Sequence, residues 1–154
     1  MQSHSTLPST TSPAAADLAA LVLRLALGTM FIAHGLLKVV VFTLPGTAAF
    51  FESQGFPGWS AYPVTALELV GGVALILGVY SRYVTLALIP VLLGALFVHL
   101  PNGWLFTAPN GGWEYPAFLC AVALTQALLG DGAYALVRAP TLRRASVVPN
   151  APAH

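Results

Sequence analysis

The sequence predicts an all-α integral membrane protein: a four-helix bundle with a short interfacial helix between its first and second spans. Hydrophobic residues make up 57% of the 154-residue chain and charged residues only 7%, whereas a soluble domain usually has about 25% charged residues. The apolar residues fall into four runs suited to helices, since a hydrocarbon core of about 30 Å takes roughly 20 residues. The sequence lacks the short alternating segments of a membrane β-barrel, which leaves helices as the structure that can span lipid.

The four predicted spans cover residues 18–42, 62–80, 83–100 and 115–129. The second and third are joined by Ser81 and Arg82, so we expect them to form a tight antiparallel pair, and Pro90 is expected to kink the third or to widen the bundle there. The connection after the first span is longer. Its sequence, FTLPGTAAFFESQGFPGWS, indicates a short helix at the membrane surface with aromatic anchors, closed by Gly and Pro. The fourth span is the shortest.

These spans lie in a predicted domain of residues 17–138, between two tails. Residues 1–16 are rich in Pro, Ser and Thr and lack Lys and Arg, which is typical of a disordered tail and not of a signal peptide. Residues 139–154 are predicted to form a disordered, basic tail. The absence of a Lys/Arg cluster argues against a nucleic acid partner. The single cysteine, Cys120, excludes an intramolecular disulfide and thiolate metal sites, and we predict no metal site.

The cationic residues predict the orientation of the chain. If the four spans alternate in direction, one side of the membrane holds Arg82, Arg138, Arg143 and Arg144. The positive-inside rule makes this side cytoplasmic, so both termini are expected in the cytoplasm and the two longer loops outside. Lys38 opposes this assignment, and we interpret it as a functional or snorkelling residue near a span end.

Five ionisable residues are expected to gather in the outer half of the bundle. His34 and Lys38 are four residues apart and share a helix face, Glu68 enters the second span at a similar depth, His99 ends the third span, and Glu114 opens the fourth. Charges inside a membrane cost roughly 2.5 kcal/mol or more and mark functional sites by default. The group is therefore a candidate site that binds a polar head group, such as a quinone carbonyl, and handles its proton. In the structural alternative, Glu68 pairs with Lys38 or His34 and fixes helix register.

Other residues carry weaker predictions. His34 and His99 could be axial ligands of a haem b, although two histidines on different helices are not sufficient for this. Arg24 stands apart, about one turn inside the cytoplasmic end, where it can snorkel. Gly71 and Gly72 are expected to let helix backbones approach closely.

The loop from His99 to Pro116, HLPNGWLFTAPNGGWEYP, is predicted to cover the polar group as a lid. Its Asn-Gly and Gly-Gly pairs favour tight turns, and its two tryptophans can hold it at the level of the lipid head groups. Glu114 would then begin a helix, where the dipole favours a carboxylate. The alternative is a plain interfacial turn followed by a helix cap.

Three motifs carry a family resemblance across residues 18–138. The first runs from Arg24 to Lys38 as RLALGxMFxxHGxxK, the second is ALELVGGVALILGVYSR, and the third is NGGWEYP. With them the chain resembles the DoxX family of small four-helix membrane proteins. The positions that match the family pattern are Arg24, Lys38, Glu68, Arg82, His99 and Glu114.

This resemblance implies an association with redox chemistry. The family is named from a membrane subunit associated with quinol oxidase, and a related branch forms thiosulfate:quinone oxidoreductase. The expectation is therefore an accessory or quinone-interacting subunit of a redox complex in the bacterial inner membrane, with lipid, redox proteins and a further copy of itself as candidate partners. A non-enzymatic scaffold or assembly factor and a small-solute transporter are the alternatives. Whether the chain is itself an enzyme stays open, because no catalytic triad, Walker loop or dinucleotide fingerprint is visible in the sequence.

Overall fold

The computed structural model describes residues 13–140, and this part of the chain is helical, as the sequence predicted. The five α-helices are α1 (Pro13–Leu36), α2 (Leu44–Ser53), α3 (Ala61–Leu77), α4 (Ser81–His99) and α5 (Glu114–Leu129). Helix α1 begins a few residues before the predicted domain start at residue 17. The rest of the two predicted tails, 1–12 and 141–154, lies outside the described residues, and so do Arg143 and Arg144, which the predicted orientation uses.

Within residues 13–140, three helical stretches are long and apolar enough to cross a membrane: Ala15–Val41, Gly58–Leu77 and Ser81–Asn102. They coincide with the first three predicted spans. Helix α5, at the predicted fourth span, is apolar but has only 16 residues. At about 1.5 Å per residue it reaches about 24 Å, less than a hydrocarbon core of about 30 Å. A short helix, α2, lies between the first two spans, where the sequence predicted one.

The helix ends have local causes. Helix α1 continues into a π-helical turn, Leu37–Val41, and α2 begins after Thr43, whose hydroxyl accepts the Gly46 N–H at 3.3 Å. Helix α3 ends at Leu77 and is capped by Gly78, which has a φ of 70° and supplies the left-handed conformation that commonly terminates helices. Pro90 lies inside α4.

The four longer helices surround one apolar core. Helix α1 packs mainly on α3 and α4 mainly on α5, and contacts of α3 with α4 and of α1 with α5 close the ring. The buried core residues are Leu27, Phe31, Leu75, Leu88, Leu92 and Ala123. Many large apolar side chains face outward, among them Val70 at 69% exposure and Phe118 at 65%, as expected of helices in contact with lipid.

The bundle has two polar ends, named here by a residue of α1. The Lys38 end contains the last turns of α1 and α4 and the first turns of α3 and α5. The Arg24 end contains the first turns of α1 and α4 and the last turns of α3 and α5.

Candidate functional site

The Lys38 end holds a largely buried ion pair between α3 and the π-helical turn that follows α1. Lys38 Nζ donates to both carboxylate oxygens of Glu68, at 2.8 Å and 2.7 Å. The Lys38 side chain is 18% exposed and the Glu68 side chain 5%. Because water competes little for buried groups, this pair interacts more strongly than a surface pair would. An ammonium group has three N–H donors, so the pair leaves one donor of Lys38 for a further acceptor.

The backbone around Lys38 departs from regular α-helix. Lys38 lies in the π-helical turn, which ends where the Phe42 N–H donates to the Leu37 carbonyl at 3.0 Å. Such π turns inside α-helices are frequent at functional sites. Helix α2 braces this turn, because the buried Thr47 hydroxyl is 3.3 Å from the Lys38 carbonyl and 2.9 Å from the Thr43 carbonyl.

Glycines bring α1 close enough to α3 for the pair to form. A Cβ added to Gly28 would lie 2.7 Å from the Gly72 carbonyl oxygen, and one added to Gly72 would lie 2.8 Å from the Gly28 carbonyl oxygen. One added to Gly35 would lie 2.7 Å from Leu69 Cδ2 and 3.5 Å from Glu68 Cβ. Gly72 therefore packs against the backbone of α1.

His34 lies one helical turn before Lys38. It is exposed, and its Nδ1 is 2.9 Å from the Met30 carbonyl oxygen. A carbonyl only accepts hydrogen bonds, so this contact requires the proton on Nδ1 and leaves Nε2 as an acceptor in the neutral ring. The spacing of four residues puts His34 on the same face of α1 as Lys38. It therefore borders the ion pair.

The other two predicted site residues, His99 and Glu114, form hydrogen bonds with residues that are close to them in the sequence. His99 Nδ1 is 2.7 Å from the Ala95 carbonyl oxygen, and Glu114 Oε1 accepts the Phe106 N–H at 2.8 Å. Helix α5 does begin at Glu114. Within residues 13–140, no hydrogen bond joins either side chain to Lys38 or Glu68, so their membership of one site stays a prediction.

The loop between α4 and α5 closes on itself. The rings of Trp104 and Trp113 meet edge to face with centroids 4.5 Å apart, and the Trp113 N–H donates to the Gly103 carbonyl at 3.0 Å. Asn102 adds side-chain bonds to the carbonyls of Asn110 and Gly111 at 3.2 Å and 2.9 Å. The loop is therefore a compact unit at the Lys38 end.

A second polar cluster lies at the Arg24 end, where the sequence pointed to the arginines alone. Arg24 is 1% exposed and donates Nη2 to the Ala133 carbonyl at 2.6 Å, so it is buried and does not snorkel. Its guanidinium packs against Gly78 and fills the space that a Cβ at residue 78 would occupy. Arg82 donates to the carbonyls of Ala127, Leu128 and Pro140, at 2.9, 3.4 and 3.2 Å.

Asp131 joins the segment after α5 to the start of α4. One carboxylate oxygen accepts the Ser81 N–H and the other accepts the Ala139 N–H, both at 2.6 Å. The signal that could have revealed it is the sequence Gly130-Asp131-Gly132, an acidic residue between two glycines directly after an apolar run. Two polar clusters thus lie at opposite ends of the bundle.

Comparison with known proteins gives two matches and one negative result. The sequence profile of the DoxX family matches residues 19–100, which include both members of the ion pair. The "Putative oxidoreductase CatD" of Bacillus subtilis (strain 168) is 33% identical over 121 residues, which are 78% of this chain and 85% of that protein. No solved structure matches the chain.

Proposed function

The chain belongs to the DoxX family, and from that premise we propose that it is an accessory, quinone-interacting subunit of a membrane redox complex. The observation that carries this proposal is the Lys38–Glu68 pair, a half-buried cation and a buried acid between two helices long enough to span a membrane. The name of the Bacillus relative, an oxidoreductase, agrees with a redox association.

The residues at the pair fit a quinone head group. A quinone oxygen is an acceptor, and the remaining N–H of Lys38 is a charged donor whose hydrogen bonds are stronger than those of a neutral group. Glu68 is placed to hold or release a proton beside that oxygen, and His34 Nε2 can exchange protons with the membrane surface. The two electrons that convert a quinone into a quinol are supplied by the partner complex, and the chain supplies binding and proton transfer.

The proposal includes a membrane topology. We place α1, α3, α4 and α5 across a bacterial inner membrane, with α2 and the α4–α5 loop at the outer surface. Arg82 and Arg138 at the Arg24 end support a cytoplasmic position for that end. Arg143 and Arg144 follow in the sequence and add to the same charge bias.

A binding titration tests the proposed function. The full chain in lipid nanodiscs is titrated with ubiquinone and with menaquinone, alongside Glu68→Gln and a control, Glu52→Gln, which changes an exposed carboxylate on α2. We expect Glu68→Gln to weaken binding by about tenfold or more, because the neutral amide no longer holds the Lys38 ammonium in place, and a hydrogen bond from that charged group to the quinone oxygen contributes about 1.5–3 kcal/mol. Glu52→Gln should bind as the unaltered chain does. Absence of binding to either quinone, or equal binding by all three proteins, would overturn the proposal.

A further inference from the structure

Thr43, which joins the π-helical turn to α2, has a backbone conformation that threonine rarely adopts. Its φ is 62° and its ψ is 154°, a combination of backbone angles that is essentially restricted to glycine. The β-branched side chain makes this conformation a genuine outlier. Strained residues of this kind persist only where the surrounding structure holds them, and they cluster at functional sites. The contacts that hold Thr43 lead to Lys38.

Thr47, one turn further along the chain, connects Thr43 to the backbone of Lys38. The Thr43 carbonyl accepts the Thr47 N–H at 2.9 Å and lies 2.9 Å from the Thr47 hydroxyl. The same hydroxyl is 3.3 Å from the Lys38 carbonyl. Thr47 is only 4% exposed, so water competes little for these contacts. The hydroxyl therefore bridges the carbonyls of a strained residue and of the lysine in the ion pair.

The Lys38 carbonyl is one of those at the end of a helix, which have no partner within the helix itself. The π-helical turn ends with the bond from the Phe42 N–H to the Leu37 carbonyl, at 3.0 Å, and at Thr43 the chain turns into α2. The Lys38 carbonyl comes next after that of Leu37, and the side chain of Thr47 supplies its donor. Helix α2 thus fixes the backbone of the residue whose ammonium group forms the ion pair.

Thr47 differs from the other threonines whose hydroxyl bonds the carbonyl four residues earlier. This common helical arrangement is present at Thr65, Thr85 and Thr125, with distances of 2.7, 2.7 and 2.9 Å. Within residues 13–140, Thr47 alone of these four adds a contact with a carbonyl of another element. The second contact gives Thr47 a role beyond the stability of its own helix.

We propose that Thr47 is a positioning residue of the Lys38–Glu68 site, which holds the backbone of Lys38 so that its ammonium group stays on the carboxylate. This inference rests on the proposed function and adds α2 to the quinone site. The ammonium group lies at the end of a flexible four-carbon stem, so its contacts of 2.8 Å and 2.7 Å with Glu68 depend on a fixed backbone at the base of that stem. A hydroxyl that bonds this backbone from another helix fixes it.

The contact between Lys38 and Glu68 can be measured directly, because Lys38 is the one lysine of the chain. The full chain in lipid bilayers, isotope-labelled at lysine Nζ and glutamate Cδ, reports the dipolar coupling between these two atoms by solid-state NMR, without added quinone. Thr47→Val removes the hydroxyl and keeps the shape of the side chain, and Thr47→Ser keeps the hydroxyl. Thr85→Val is the matched control, because it removes a buried hydroxyl bond at the Arg24 end.

The unaltered chain, Thr47→Ser and Thr85→Val should each show the coupling of a close contact, and Thr47→Val should lose most of it. The two valine variants should lose similar stability, because each lacks one hydroxyl bond. In a titration with ubiquinone and menaquinone, Thr47→Val should bind about fivefold more weakly than Thr85→Val, the factor that a typical hydrogen bond contributes to an equilibrium.

Two results would overturn the positioning role and leave the proposed function standing. One is a Thr47→Val chain with the full coupling of the unaltered chain, and the other is an equal loss of coupling in Thr85→Val. Failure of the unaltered chain to bind either quinone would instead overturn the proposed function, and with it the place of Thr47 in a quinone site.

Discussion

At the scale of single residues, the Lys38–Glu68 pair fixes where α1 meets α3. Two charges were taken out of water to form it, and their mutual attraction offsets that penalty only while both are present. Removing one partner is therefore more harmful than removing both.

This asymmetry predicts the effect of Lys38→Met. The variant leaves Glu68 buried without its cation and should lower the free energy of unfolding by about 3–5 kcal/mol. The double variant Lys38→Met/Glu68→Leu should recover much of that loss. Unfolding of the purified protein in detergent measures both, with Arg138→Met as a control at an exposed cation. Lys38→Met as stable as Arg138→Met would contradict a structural contribution of the pair.

Asp131 carries a second residue-scale prediction. Both of its oxygens accept backbone N–H groups, and an asparagine would turn an N–H₂ group towards one of those donors. Asp131→Asn should therefore destabilise the protein by about 1–3 kcal/mol, as measured by thermal unfolding. The control is Asp17→Asn, at an exposed acid on α1. If the two variants unfold at the same temperature, the Asp131 bonds contribute nothing measurable.

Some of these residues could be predicted from the sequence and others could not, for a physical reason. Lys38 and Glu68 could be placed near each other in advance because charges are rare in spans and both lie at one depth, although the sequence left open whether Glu68 pairs with Lys38 or with His34. The partner of Arg24 could not be predicted, because Ala133 lies 109 residues away and its backbone carbonyl carries no sequence signal. A backbone oxygen is available at every position, so only the fold selects one.

At the scale of elements, the close crossing of α1 and α3 depends on glycines, which have no side chain to hold the two backbones apart. Gly28 and Gly72 lie against each other's backbone carbonyls, and close backbone approach of this kind stabilises helix pairs in lipid. Gly94 on α4 has no atom within 4 Å of an added Cβ, which makes it a matched control.

Gly72→Ala should push α1 away from α3. We expect it to destabilise the protein by about 1–3 kcal/mol, the usual range for overpacking. Gly94→Ala should be neutral or should stabilise α4 by up to about 1 kcal/mol through helix propensity. Thermal unfolding in detergent compares the two. Equal effects of both substitutions would show that the crossing tolerates a methyl group.

The positions of the helices followed from the apolar runs, but two details did not. The π-helical turn at Leu37–Val41 has no composition that distinguishes it from the preceding α-helix, and its bracing contact comes from Thr47 in another element. Helix α5 was predicted to span the membrane because its sequence is apolar. Its length of 16 residues is shorter than the roughly 20 residues that a membrane-spanning helix needs.

At the scale of the whole molecule, an apolar core separates the two polar ends. Phe31, Leu75 and Leu88, at 1%, 0% and 0% exposure, lie between the ion pair and the Arg24 cluster. Exchange of protons at Glu68 is therefore expected from the Lys38 end alone.

The proposed topology predicts which side of the membrane each loop faces. In a Cys120→Ala background, a cysteine at Asn110 reports the α4–α5 loop and a cysteine at Leu136 reports the segment after α5. A membrane-impermeant maleimide should label Asn110→Cys in intact cells and Leu136→Cys only after lysis. Labelling of both positions from the same side would show that α5 does not cross the membrane.

The most direct measurement is native mass spectrometry of the protein released gently from its own membrane, as the unaltered chain and as Glu68→Gln. If a quinone head group binds at Lys38 and Glu68, the unaltered chain should carry the added mass of a quinone. That added mass should be lost or strongly reduced in Glu68→Gln, while bound phospholipid should be the same in both proteins. An unaltered chain that carries phospholipid alone, or a quinone mass that Glu68→Gln retains in full, would contradict the assignment of the site.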